Sequence, residues 1–140
     1  MTDERKRREC VIALAVVLLV ALGTAYLVYQ QLEVVEDAYA AWWTADVIVA
    51  HLESHDGQWP RDWDELRKAY DAMKGNKRSF DDIRARCEVR FDVTSADILN
   101  HWRTTGDALQ VVTILGGQDH HWKSREPNTI VLDYLRGKSH

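Results

Sequence analysis

The chain has 140 residues with 18 Lys and Arg against 22 Asp and Glu, which gives a formal net charge of -4 at pH 7. Its length fits one domain of the usual size, about 100–200 residues, and excludes a multidomain enzyme. Six Trp, five Tyr and an apolar fraction of 46% supply enough apolar surface for a core, so wholesale disorder is excluded as well.

The first predicted element is a membrane-spanning helix. Residues 10–29 carry no charged side chain, and at about 1.5 Å of rise per residue they span roughly 30 Å, the thickness of a bilayer's hydrocarbon core. The basic residues at 5–8 precede this run, whereas no Lys or Arg follows it until Arg61. This charge bias predicts a cytoplasmic basic tail over residues 1–9 and an extracytoplasmic domain over residues 30–140.

A cleaved secretory signal is the alternative for the same segment, since it also joins a basic start to an apolar run. The apolar region of a signal is shorter, about 7–15 residues, and ends beside a small-residue cleavage site. The nearby Ala-Tyr-Ala at 38–40 lies well beyond the apolar run. We therefore predict an uncleaved, single-pass anchor with the lipid bilayer as its partner. Cys10 and Cys87 would then lie in different compartments, which excludes a disulfide between them.

After the apolar run, the same helix is predicted to continue in amphipathic form. Residues 30–56 contain neither Pro nor Gly, and one stripe of residues recurs at steps of three and four. The stripe consists of Leu32, Val35, Tyr39, Trp42, Val49 and Leu52, with Asp46 as its polar member. Four neighbouring residues widen the stripe, namely Trp43, Val47, Ile48 and Ala50. We expect this half of the helix to pack under the rest of the domain. The helix is predicted to end near His55, with Gly57 as its C-terminal cap.

A Trp-Pro connection leads from this helix into the next one. Pro60 restricts Trp59 to an extended conformation. Asp62 is suited to cap a helix over about 62–74, and Glu65 completes an acidic capping-box pattern. We expect the rings of the two Trp residues to be buried between the two helices. The residues predicted to have structural roles are Trp59, Pro60, Asp62, Trp63 and Glu65.

The remainder of the chain predicts short elements of both kinds. They are a turn of helix after Ser79, a half-exposed strand over 88–93, a short helix from Thr94 to Gly106, a buried strand over 109–115 and a final segment over 129–136, where strand and helix signals compete and a helix is favoured. The predicted fold class is α+β. A long N-terminal helix, transmembrane and then amphipathic, packs on a small head with short helices and a few-stranded antiparallel sheet.

The order of features from Cys10 to Leu66 resembles type IV pilin-like and pseudopilin-like proteins. In that family, a helix end, a Gly and an aromatic-Pro step similarly lead into the globular head, as residues 51–60 do here. The family's Gly-Phe processing site and the Glu inside its apolar segment have no counterpart at residues 8–12. The resemblance implies a pilin-like head on an uncleaved anchor in a bacterial inner membrane, and does not extend to polymerisation.

Two histidines have the spacing of helical metal ligands. His51 and His55 lie four residues apart, which places both imidazoles on one helix face. A loop with Asp119, His120 and His121 would complete a metal site only if it folded back on that helix. No Glu follows His51 in the pattern of the helical zinc proteases. We therefore interpret these histidines as solvated and predict no metal and no cofactor.

Other chemical motifs are accounted for by structure. The carboxylates at Asp62, Asp64 and Glu65, and those at Asp81 and Asp82, stand at predicted helix starts, where the helix dipole favours negative charge. Cys87 is interpreted as a small buried hydrophobe. Trp122 stands in a polar loop and is a candidate contact residue.

The charge of the extracytoplasmic part disfavours one class of partner. Beyond residue 29 the chain carries 14 basic against 19 acidic side chains, so nucleic acid binding through a basic face is not expected. The predicted function is a membrane-anchored, non-enzymatic structural or interaction protein, whose partners are other envelope proteins or itself. The alternatives are a metal-binding domain or small metal-dependent enzyme using His51 and His55, and an extracytoplasmic ligand-binding module.

Overall fold

The computed structural model describes residues 2–75, 78–116, 122 and 125–138. Within these residues the chain forms helices α1 (Thr2–Ser54), α2 (Trp63–Ala72), α3 (Phe80–Arg86), α4 (Ser95–Thr105) and α5 (Pro127–Lys138), and strands β1 (Cys87–Val89) and β2 (Val112–Ile114). The predicted α+β class, with a long N-terminal helix and a small antiparallel sheet, is confirmed at this level. The chain divides into two compact units, a first unit over Met1–Val35 and a second over Glu36–His140, here called the head.

The first unit consists of the N-terminal part of α1. Every described side chain from Asp3 to Leu32 is exposed, including those of the charge-free run. By length and composition, the helix Asp3–Ser54 can cross a membrane.

The end of α1 follows the prediction closely. The helix ends at Ser54, and Gly57 adopts the left-handed conformation with a φ of 79°. The Gly57 N–H donates to the carbonyl oxygen of Leu52 at 2.8 Å, which satisfies a carbonyl that the helix itself leaves free.

The face of α1 that packs in the head includes only part of the predicted stripe: Leu52 is buried, and Trp42 and Val49 pack against the core. Leu32, Val35 and Tyr39 remain 58%, 48% and 51% exposed, so the prediction that they pack under the domain is wrong. The buried residues of α1 are Ala40, Ala41, Thr44, Ala45, Val47, Ile48, His51 and Leu52. The first four of these residues, from Ala40 to Ala45, have small side chains. Small side chains allow neighbouring elements to approach the helix backbone closely.

The core of the head joins residues from every one of its described elements. Leu66 of α2, Phe80 of α3, Ile98 of α4 and Val131 of α5 belong to the same buried cluster as the α1 residues. Helices α4 and α5 also meet at the surface, where the guanidinium of Arg136 lies 4.1 Å from the centre of the Trp102 ring.

The sheet is shorter than the two predicted strands. In the antiparallel ladder Cys87 is opposite Ile114 and Val89 is opposite Val112. The buried amide of Asn128 binds the backbone at the start of β2. Its Oδ1 accepts from the N–H groups of Val111 and Val112, both at 2.8 Å. Its Nδ2 donates to the Val112 carbonyl oxygen at 3.1 Å. The edge of β2 at Val112 is thus bound by a side chain and not by a further strand.

The final segment is a helix, as favoured from the sequence. Pro127 occupies its first position, where a missing N–H is tolerated. The Glu126 carboxylate accepts from the Thr129 N–H at 2.9 Å, which caps the helix.

Ion pairs connect α1 to α3 within the head. Arg86 donates to Asp37 at 2.7 Å and to Asp82 at 3.1 Å, and Arg78 pairs with both Asp82 and Glu36. Asp82 stands in the first turn of α3, as predicted, and its oxygens also accept from two arginines. The pKa of Asp82 is lowered: partial burial opposes this shift, but the hydrogen bonds from Arg78 and Arg86 outweigh it.

Candidate functional site

A cleft of about 480 Å³ lies where the end of α1, the Trp-Pro connection and α2 meet. It is lined by His51, His55, Gln58, Trp59, Arg61, Glu65 and Lys68. His51 and His55 were identified as a candidate pair from the sequence. The structure places Trp59 and Glu65, which were predicted to have structural roles, beside them. Gln58, Arg61 and Lys68 were not foreseen at this site.

His51 is the buried member of the histidine pair. It belongs to the packed face of α1, and only 1% of its surface is exposed. Its Nε2 lies 3.9 Å from the Oε2 of Glu65. Its Nδ1 is buried and has no hydrogen-bond partner within the described part of the chain. The interpretation of His51 as solvated is therefore wrong, since the tight packing of α1 covers the ring.

His55 is the exposed member of the pair. Its ring stacks on that of His51 with the centroids 4.1 Å apart and an angle of 13° between the planes. The His55 Nδ1 donates to the carbonyl oxygen of His51 at 3.0 Å. Its Nε2 is thus the nitrogen that remains for another partner.

Burial and neighbouring charges set the protonation of the cleft. Burial lowers the pKa of His51, and His55 lowers it further, against the attraction of Glu65. The pKa of Glu65 is lowered as well, because its carboxylate accepts from the Arg61 backbone N–H at 2.9 Å and from the Arg61 Nε at 2.7 Å. At neutral pH the cleft therefore contains a neutral His51 beside the Glu65 carboxylate, which is hydrogen-bonded to Arg61.

Asp62 caps α2 in the predicted way. Its Oδ1 accepts from the Glu65 N–H at 2.9 Å. The reciprocal bond of a capping box does not go to the N–H of Asp62, because Glu65 turns to Arg61 instead. The sequence signal for this contact is the spacing of four residues between Arg61 and Glu65, which favours an ion pair.

The Trp-Pro connection forms one wall of the cleft. Pro60 is fully buried, whereas the rings of Trp59 and Trp63 are half-buried. The Trp59 Nε1 donates to the carbonyl oxygen of Arg90 at 2.8 Å. The ring of Trp63 packs edge to face against Phe80 and Phe91, with centroids 5.9 Å and 5.8 Å away. Trp63 thus contacts α3 and the segment after β1, and complete burial of either ring is not observed.

Among the described residues, no three His, Cys, Asp or Glu side chains converge on a metal position. Asp119, His120 and His121, the other metal candidates from the sequence, lie outside the described residues.

Two further candidates lie away from the cleft. Cys87 is buried, and burial raises the pKa of its thiol, which favours the unreactive protonated form. Trp122, the candidate contact residue, is half-buried and lies 5.8 Å from the ring of Trp42. Both residues thus take part in the packing of the head.

The cleft has the groups to bind a small polar ligand: an exposed imidazole nitrogen on His55, the cations of Arg61 and Lys68, and the edge of an aromatic wall at Trp59. Comparisons of the chain with protein-family models, curated proteins and solved structures find no match. Function therefore has to be argued from the cleft and from the exposed apolar part of α1.

Proposed function

We propose that this chain is a membrane-anchored, non-enzymatic structural or interaction protein with an extracytoplasmic, pilin-like head. The observation that carries the proposal is the continuous exposure of large apolar side chains along residues 11–29 of α1. Soluble proteins rarely expose an apolar patch larger than a few hundred Å². A lipid bilayer is the environment that removes a surface of this length and composition from water.

The basic residues at 5–8 support the direction of insertion. Lys and Arg remain in the cytoplasm, so a basic N-terminal flank favours export of the chain beyond the apolar run. The segment after the run begins with acidic residues, Glu33, Glu36 and Asp37, which do not oppose that direction.

The state of the titratable groups supports a non-enzymatic role. At the cleft, the Glu65 carboxylate is held by Arg61, and His51 is buried beside it. At the junction of α1 and α3, Asp82 is held between Arg78 and Arg86. Groups that act as general acids or bases need access to a substrate proton, whereas these carboxylates serve as structural acceptors.

The pilin-like description of the head rests on local geometry and on the resemblance. A long helix enters the head, ends in a left-handed Gly57 and continues through Trp59 and Pro60 into a capped second helix. The absence of a Gly-Phe site at residues 8–12 of the sequence supports an anchor that remains attached.

A reporter that is active only after export, fused after His140, tests the proposal. We expect export of the reporter and recovery of the full-length mass in the membrane fraction after an alkaline wash. A matched variant, Val17→Arg with Leu18→Arg, should lose this retention, because each Arg at the centre of a span costs about 2.5–3.5 kcal/mol. Release of a shorter soluble form of the unmodified chain would show that the apolar run is a cleaved signal.

A second candidate function is ligand or metal binding at the cleft. It is favoured by the Nδ1 of His51, which has no hydrogen-bond partner among the described residues, and by the exposure of His55 at the cleft. The non-enzymatic proposal predicts instead that zinc and a chelator leave the melting temperature unchanged, since no coordination energy is linked to folding.

The test compares the unmodified chain with His51→Ala plus His55→Ala, and with His101→Ala as a control outside the cleft. A rise in melting temperature with zinc that disappears only in the double variant would assign a metal site to the cleft. A further variant, His120→Ala with His121→Ala, would then report whether the loop supplies ligands.

A further inference from the structure

The guanidinium of Arg61, at the rim of the cleft, keeps N–H groups that the fold does not use. Arg61 contacts the Oε1 of Glu65 through its Nε, at 2.7 Å, and through its Nη2. These contacts occupy one edge of the planar guanidinium, which has five N–H groups in all. The side chain of Arg61 is 84% exposed, so the N–H groups at its tip remain available. Because Glu65 holds the other edge, the guanidinium is oriented before a ligand arrives.

Lys68 is the second cation of the cleft. It lies on α2, three residues after Glu65, and its side chain is exposed. Among the described residues, its ammonium group has neither a hydrogen bond nor an ion pair. An ammonium group on a flexible stem carries three N–H donors and can contact an anion from several directions.

The charge of the cleft favours a ligand with one negative charge. With histidine counted as neutral, the described lining residues carry the cations of Arg61 and Lys68 against the carboxylate of Glu65. The nearby Asp62 carboxylate is directed to the start of α2, where it accepts from the Glu65 N–H at 2.9 Å. One positive charge is therefore left over. A single carboxylate balances this charge, whereas a phosphate group, which carries about two negative charges, exceeds it.

The shape of the cleft indicates what accompanies the carboxylate. The forked N–H groups of a guanidinium match the two oxygens of a carboxylate. The indole N–H of Trp59 is already bound to the Arg90 carbonyl oxygen at 2.8 Å, so its ring offers apolar surface to the cleft. The volume of about 480 Å³ lies within the range of about 300–1,000 Å³ that small-molecule sites have. The cleft therefore has room for an apolar group attached to the carboxylate.

We propose that the cleft binds a small organic acid, whose carboxylate contacts Arg61 and Lys68 and whose apolar part lies against Trp59. The inference rests on ligand binding at the cleft, the second candidate function proposed above. It goes further than that candidate by naming the chemical class of the ligand and the residues that select it.

Binding of benzoate to the detergent-solubilised full chain tests the class of ligand. Benzoate is an aromatic monoanion, and benzamide is an uncharged molecule of nearly the same shape. Titrations followed by saturation-transfer NMR in a neutral detergent measure the binding of each compound, with protein-free micelles as the background. Lys68→Gln removes one cation from the cleft. Lys74→Gln is the matched control, because Lys74 is exposed beyond the end of α2 and outside the described lining.

We expect benzoate to bind about tenfold more tightly than benzamide, because charge-assisted hydrogen bonds are roughly twice as strong as neutral ones. Lys68→Gln should weaken benzoate binding about threefold to tenfold, whereas Lys74→Gln should leave it unchanged. Arg61→Lys keeps the charge but loses the fork, and should weaken benzoate binding as well. The melting temperature of each variant shows that it is folded.

Equal binding of benzoate and benzamide, or equal losses in Lys68→Gln and Lys74→Gln, would overturn the proposed carboxylate site. Tighter binding of inorganic phosphate than of benzoate would overturn the class of ligand. Absence of benzoate binding, together with a zinc-dependent melting temperature that requires His51 and His55, would refute the organic acid and leave the cleft as a metal site. Absence of both effects would refute ligand binding at the cleft altogether.

Discussion

Residues 11–35 and residues 36–54 belong to one continuous helix, yet their apolar side chains differ in burial. In the first stretch, large residues such as Leu19 and Val20 are exposed. In the second, small residues such as Ala40, Ala41 and Ala45 are buried. The burial of a helix face therefore depends on the elements around it, and not on its apolar content alone. In the second stretch, large residues such as Ile48 are buried together with the small ones, which allow close approach of other elements.

The largest effect expected from this comparison is the loss of a core side chain. Ile48 is fully buried, so Ile48→Ala should lower the free energy of unfolding by about 2–5 kcal/mol through lost burial and the cavity that remains. Leu19→Ala, in the exposed stretch, should leave it unchanged. Urea unfolding of the detergent-solubilised full chain, followed by Trp fluorescence, measures both. A similar loss in the two variants would contradict the distinction between the stretches.

A smaller effect is expected when a small residue is enlarged. Ala41 is 1% exposed, and Ala41→Leu should destabilise the head by about 1–3 kcal/mol, because a packed core does not accommodate the added atoms without strain. Ala13→Leu is the matched change in the exposed stretch and should have no such effect. If the denaturation midpoint of Ala41→Leu equals that of the unmodified chain, the neighbouring elements do not pack closely on this face of α1.

The smallest effect concerns pH. Burial lowers the pKa of His51 in the folded state, so the unfolded chain binds a proton more readily, and stability should fall as the pH drops below about 6.5. Stability is fully retained above that pH, where the imidazole is neutral in both states. His51→Leu should remove the part of this pH dependence that comes from His51, whereas His55→Gln should reduce it only partly, because burial, the main cause of the lowered His51 pKa, remains. An unchanged profile in His51→Leu would assign the dependence to other groups.

Local features of the head could be predicted from the sequence because each depends on only a few neighbouring residues. Asp62 caps α2, Gly57 turns the chain after α1, and Gly106 ends α4 in the left-handed conformation. Each of these residues satisfies a backbone group within about one helical turn. The charge-free run could be predicted in the same way, because its length and composition define it without any tertiary contact.

The candidate site was only partly predictable. The spacing of His51 and His55 identified a shared helix face, and the structure stacks their rings. That the Glu65 carboxylate would come within 3.9 Å of the His51 Nε2 depends on how α2 lies against α1. Sequence spacing contains no information about that distance.

The apolar run, the helix ends and the order of short helices and strands follow from residues close together in the chain. The packed face of α1 and the length of the strands depend on contacts between distant residues. The head covers the face of α1 that carries both small and large apolar residues, such as Ala45 and Ile48, and leaves Leu32 and Val35 exposed. Likewise, the backbone of Val111 and Val112 is bound by the amide of Asn128, which comes from a distant part of the chain. Both outcomes depend on competition between partners that meet only after folding.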